Sequence, residues 1–111
     1  MNRLVMKAMM KKFAVELTMA ESAVKGLKLA RKNRFDLIIT DIQMPFHTGI
    51  ELRQWLAGDD EIHAPNIIAF TANAETAKLK EYIDIGFNDV LTKPLTLVKF
   101  SSFLRPYLDA L

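Results

Sequence analysis

Three residues of complementary chemistry each follow directly on a short, mostly apolar run. Asp41 follows Leu37-Ile38-Ile39-Thr40, Thr71 follows Ile67-Ile68-Ala69-Phe70, and Lys93 follows Val90-Leu91-Thr92. A carboxylate can attack phosphorus to form an acyl phosphate. A hydroxyl can hydrogen-bond a phosphoryl oxygen, and an ammonium can offset the charge that gathers on those oxygens during transfer. Each residue alone has a plainer role: Asp41 as a turn residue, Thr71 as the N-cap of a following helix, Lys93 as a surface cation. The three together point to phosphoryl chemistry, provided the fold brings them to one place.

The elements that would do so are legible in the pattern of apolar residues. Residues 3–13 set Leu4, Val5, Ala8, Met9 and Phe13 against Arg3, Lys7 and Lys11 at helical spacing, with Asn2 as the expected cap. Val15–Met19 alternates apolar and polar residues as a half-buried strand does. Ser22–Lys32 returns to helical spacing. Leu37–Ile39 is an unbroken apolar run, expected of a strand covered on both faces, and Pro45 and Gly49 mark the loop after it. Glu51–Ala57 is predicted as a short helix, Ile67–Phe70 as a second buried strand, and Glu75–Ile85 as a helix closed by Gly86. Val90-Leu91 is a brief further strand before Lys93-Pro94, and Leu97, Phe100, Leu104, Leu108 and Leu111 form one side of a final helix. Pro106 predicts a kink or break in that helix.

The order αβαβαβαβα, with short connections, predicts an α/β domain built on a parallel sheet over residues 1–111. In open sheets of this class functional groups collect beyond the carboxyl ends of the strands. Asp41, Thr71 and Lys93 all stand at such ends.

Composition narrows the function classes. Half of the residues are apolar and a quarter charged, the balance of a globular chain. A formal charge of +2 is too slight to imply nucleic acid as a direct partner. The basic residues at Arg3, Lys7, Lys11, Lys12, Lys25, Lys28, Arg31, Lys32 and Arg34 read as solvated helix faces. There is no cysteine, which excludes disulfides and thiolate metal sites, and no apolar run of membrane-spanning length. A cytoplasmic chain without membrane contact is the expectation. His47 and His63 stand in loops, too isolated to suggest a metal site or a catalytic base, and Asp59-Asp60-Glu61 reads as a solvated loop at the far edge of the sheet.

The segments DLIITDIQMPFHTGIEL, IIAFTANAE and GFNDVLTKPL resemble the signature segments of response regulator receiver domains of the CheY type. The spacings agree, at 30 residues from Asp41 to Thr71 and 22 from Thr71 to Lys93, and so do Met44-Pro45, Gly49 and Lys93-Pro94. The wording is most similar to receivers within hybrid sensor kinases, so the chain could be part of such a kinase rather than a stand-alone enzyme. The resemblance implies a flavodoxin-like fold with strand order 2-1-3-4-5. It also implies that Asp41 takes a phosphoryl group from a phosphohistidine on a sensor kinase or histidine phosphotransfer domain. Mg²⁺ would bridge the Asp41 carboxylate and the phosphate, with the Gln43 backbone carbonyl as a second ligand. Gln43 and Asn73 would flank the acyl phosphate, Thr71 would move toward it, and a cis peptide bond is expected at Lys93-Pro94.

The chain departs from that family at its start. Receivers open with a central strand ending in an acidic pair that helps bind Mg²⁺, whereas Met1-Asn2-Arg3 already stands where their first helix begins. The expectation is therefore a receiver lacking its first strand, with weakened Mg²⁺ binding and a gap in the sheet that invites self-association. Val90 stands where receivers often carry an aromatic residue three positions before the lysine. Two functions compete: a phosphoacceptor in a histidine-to-aspartate relay, and an unphosphorylated interaction module that keeps the fold alone. Retention of Asp41, Thr71 and Lys93 favours the first; absence of the acidic pair favours the second. A flavin-binding or other α/β enzyme fits poorly, because no phosphate-cradling loop follows any strand.

Overall fold

The computed structural model describes residues 22–43, 47–60, 62 and 66–109. The helix expected at residues 3–13 and the strand expected at Val15–Met19 lie outside them. The described elements are α1 (Ala23–Lys32), β1 (Ile38–Asp41), α2 (Gly49–Ala57), β2 (Ile67–Thr71), α3 (Thr76–Ile85), β3 (Asp89–Thr92) and α4 (Leu97–Asp109). The chain divides into two compact units after Pro94, the first holding α1 through β3 and the second α4.

In the first unit the strands form a parallel sheet in the order β1-β2-β3. These are consecutive neighbours, as the last three strands of the order 2-1-3-4-5 are. All five residues of β2 are buried, as its unbroken apolar sequence requires of a central strand. Ile67 and Ala69 on one face of β2 join a core with Ala23 and Ala30 of α1, Leu52 and Leu56 of α2, Tyr82 of α3, and Ile42 and Phe87. Val90 packs against the same core. β1 is less enclosed than its apolar run suggested: Ile38 and Ile39 are half-buried and Thr40 is its buried residue.

Local chemistry sets the helix ends. The Ser22 side chain accepts from the Lys25 N–H at 3.2 Å and starts α1. α2 starts at Gly49, two residues before the expected Glu51, because Thr48 and Glu51 form a capping box. The Glu51 N–H donates to Thr48 Oγ1 at 3.1 Å, and the Thr48 N–H donates to Glu51 Oε1 at 3.3 Å. The Thr48 backbone N–H, and after it the His47 side chain, hold the Glu51 carboxyl below its ordinary range. Stability from this depressed carboxyl is present at neutral pH and is lost as pH falls through its lowered value. Thr48→Ala is expected to lower unfolding free energy at pH 7 by about 1 kcal/mol. A urea melt checks this, and an unchanged midpoint would count against the box. Gly86 closes α3 at φ 126°, a backbone conformation that disfavours a side chain.

In the second unit, the Lys99 N–H donates to Thr96 Oγ1 at 3.1 Å at the head of α4, and Phe100 and Leu104 are buried as their spacing predicted. Phe103 stacks on Phe100 and touches Tyr107. The break expected at Pro106 does not occur, and the helix continues to Asp109. Pro106 and Ser102, whose carbonyl loses its helical donor, are both exposed, so water can satisfy that oxygen. Among the described residues no helix is long and apolar enough to cross a membrane.

Candidate functional site

Parallel register carries the three sequence-distant residues to one edge. Asp41, the last residue of β1, lies beside Phe70, and Thr71, the last of β2, lies beside Thr92. Lys93 is the next residue, and its N–H donates to the Thr71 carbonyl at 2.8 Å. Its ammonium lies 2.9 Å from Asp41 Oδ1. The Asp41 side chain is 17% exposed and that of Lys93 34%, so the pair is sheltered yet still reached by solvent. An ion pair on an open surface is worth little, and partial removal from water strengthens this one. The Lys93-Pro94 peptide bond is cis, as the resemblance implied.

Thr71 is buried, and its Oγ1 accepts from the Asn73 N–H at 3.1 Å. Asn73 Oδ1 in turn accepts from the Glu75 N–H at 3.0 Å. Thr71 is therefore not the cap of the next helix: α3 starts after Glu75, with Asn73 shaping the approach. The Thr71 O–H is still able to donate to another oxygen. Thr40 anchors the neighbouring backbone, its hydroxyl donating to the Asp41 carbonyl at 3.1 Å. Gln43 is exposed two residues beyond Asp41, and Met44-Pro45-Phe46 lie outside the described residues.

Two contributors were not singled out by residue type. Gly49 is the first residue of α2 rather than a loop residue, and its N–H donates to the Ile42 carbonyl at 2.8 Å. A β-carbon there would collide with the carbonyl oxygen of Asp41, so the helix meets the end of β1 through bare backbone. The fixed distance from Asp41 was the available signal. Phe70 is the other: the Lys93 ammonium sits 5.1 Å from its ring centroid. An apolar residue inside an apolar run gave no sign of that contact.

Other expectations change in detail. Asp59 is not simply solvated. Its side chain is 18% exposed and accepts from Arg31 Nε at 2.9 Å, tying the end of α1 to the exit of α2. Asp60 is exposed, and Glu61 lies outside the described residues, as does His63. His47 is not isolated: Nδ1 lies 3.3 Å from Glu51 Oε2, and the ring meets Trp55 edge-on. Among the described residues no three His, Cys, Asp or Glu side chains gather as a metal cluster. The Asp41 carboxylate at the sheet edge and the Gln43 carbonyl that the resemblance implies as a ligand are both hard oxygens. That set fits a Mg²⁺ ion that keeps most of its water, since one carboxylate and a phosphate can suffice to hold it.

The sequence matches the response regulator receiver domain family over residues 1–105. It is 33% identical over 93 residues to the polar-differentiation response regulator DivK of Brucella anthropi, covering 84% of this chain and 76% of that one. The structure is similar to the receiver domain of a sensor histidine kinase from Pseudomonas aeruginosa, which has a magnesium ion coordinated in its active site cleft. The TM-score is 0.83 at 24% identity, over 97% of this chain and 88% of the other. A Saccharomyces cerevisiae complex of the histidine phosphotransfer protein Ypd1 with the receiver domain of Ssk1 also contains a similar fold. That match has a TM-score of 0.83 at 21% identity, over 98% of this chain and 83% of the other. The fold is the flavodoxin-like α/β fold of CheY-like receivers.

Proposed function

The chain belongs to the response regulator receiver domain family of two-component signalling, and we propose that it is the phosphoacceptor of a cytoplasmic histidine-to-aspartate relay, with the phosphoryl group taken on Asp41. The receiver is read as occupying residues 1–111. The observation that carries the proposal is the Lys93 ammonium 2.9 Å from Asp41 Oδ1 at the carboxyl edge of the sheet.

In the proposed step a carboxylate oxygen of Asp41 attacks the phosphorus of a partner's phosphohistidine. The O–P bond forms as the N–P bond breaks. The imidazole nitrogen leaves with that electron pair and is protonated from solvent. The Lys93 ammonium, already beside Asp41, would turn to the phosphoryl oxygens and offset their negative charge. The Thr71 hydroxyl supplies a donor to one of those oxygens. When bound by the Asp41 carboxylate and the Gln43 carbonyl, Mg²⁺ would supply further positive charge to the phosphoryl group. By the receiver resemblance, Gln43 and Asn73, in the loops after β1 and β2, would flank the acyl phosphate and influence water's access to it. The partner is a sensor histidine kinase or a histidine phosphotransfer domain. The complex of Ypd1 with a receiver of the same fold supports that class of partner.

The proposal is tested by incubating the chain with radiolabelled acetyl phosphate and Mg²⁺. It predicts a label that resists mild acid and is released by hydroxylamine, as an acyl phosphate is. A folded chain that takes no label would contradict it.

A further inference from the structure

We infer that Phe70 is a positioning residue that holds the Lys93 ammonium at the Asp41 carboxylate; the inference rests on the reading of Asp41 as phosphoacceptor. The ammonium lies 5.1 Å from the Phe70 ring centroid and 2.9 Å from Asp41 Oδ1, so one charge is shared between a ring face and a carboxylate. In the sheet, Phe70 pairs with Asp41 on β1 and with Leu91 on β3. The ring is thus rooted between the strand that carries the carboxylate and the strand that leads to the lysine. Phe70 is 2% exposed, so its ring is a fixed surface rather than a mobile side chain.

A lysine chain has several rotatable bonds, and its ammonium is a hydrated point charge with no preferred direction. Left alone above the sheet edge, it would sample many positions away from Asp41. The negative face of an aromatic ring attracts a cation and narrows that range. The preceding residues of β2, Ile67, Ile68 and Ala69, are all aliphatic and fully or nearly fully buried, so filling the core at this strand does not itself require an aromatic. Phe70 adds what an aliphatic residue cannot, a face of negative potential beneath Lys93. That face also stays in place when the ammonium turns from the carboxylate to a phosphoryl oxygen.

A double-mutant comparison on the full chain separates this role from packing. Labelling by acetyl phosphate is followed for wild type, F70L, F70Y, K93Q and the F70L/K93Q pair, with F70M as a second aliphatic variant if F70L unfolds. F70L is expected to slow labelling about fivefold, the size of a partly sheltered cation–π contact. F70Y, which keeps the ring, is expected to label near the wild-type rate. In the K93Q background F70L is expected to have no further effect. The ε-methylene protons of Lys93, shifted upfield by the ring in wild type, should move downfield in F70L. Equal slowing by F70L with and without Lys93, or an unmoved Lys93 resonance, would overturn the inference and leave Phe70 a packing residue. If wild type takes no label, the Asp41 reading fails and the effect on rate fails with it, whereas an unlabelled Asp41 leaves the Lys93 shift unaffected.

Discussion

Lys93→Met is expected to slow phosphoryl transfer to Asp41 by about 10²- to 10³-fold, the usual effect of removing one preorganised group that stabilises developing charge. Methionine keeps the length and much of the apolar stem but carries no charge. The ammonium it removes lies 2.9 Å from the carboxylate and is only one-third exposed, so water cannot fully replace it. Lys93→Arg is expected to recover part of the loss. Its charge is retained, but a planar fork does not occupy the place of a compact ammonium. Labelling rates with acetyl phosphate, paired with urea melts, separate chemistry from folding. A rate within threefold of wild type would remove Lys93 from the proposed step.

Gly49→Ala sets two effects of opposite sign against each other. At a helix position alanine is intrinsically better than glycine by about 1 kcal/mol. Here, however, the new β-carbon collides with the Asp41 carbonyl oxygen, and its neighbours Asp41 C and Ile42 Cα are also backbone atoms that cannot rotate away. Either α2 or the end of β1 must move. Forced overpacking of this kind costs about 1–3 kcal/mol, enough to outweigh the propensity gain. The expected result is net destabilisation of up to about 2 kcal/mol in urea, with slower labelling because the displaced residue is the proposed phosphoacceptor. A stabilised chain would show that α2 adapts freely and that the contact does not fix Asp41.

Much of the site was legible because strand ends announce themselves. An apolar run followed by a polar residue gave β1, β2 and β3 to within one or two residues, and parallel pairing does the rest by carrying Asp41, Thr71 and Lys93 to one edge. Helix starts were less legible where the cap preceded the apolar pattern. Thr48 and Glu51 form their box around Gly49, whose glycine character suggested a loop. Of the kink or break expected at Pro106 the break is absent, because the cost of a missing helical hydrogen bond depends on whether the orphaned carbonyl can reach water. Asp59 misled because its partner Arg31 is 28 residues away, and no local pattern links them. The contact of Lys93 with Phe70 was invisible because it depends on strand register and side-chain direction rather than on residue type.

The most direct test of the central claim is to locate the phosphoryl group. The chain is treated with acetyl phosphate and Mg²⁺, reduced with borohydride to convert any acyl phosphate to a stable alcohol, digested and sequenced by mass spectrometry. Homoserine is expected at position 41, with no modification at the other acidic residues, including Asp36, Asp59 and Asp89. Modification at any of those with Asp41 intact would contradict it.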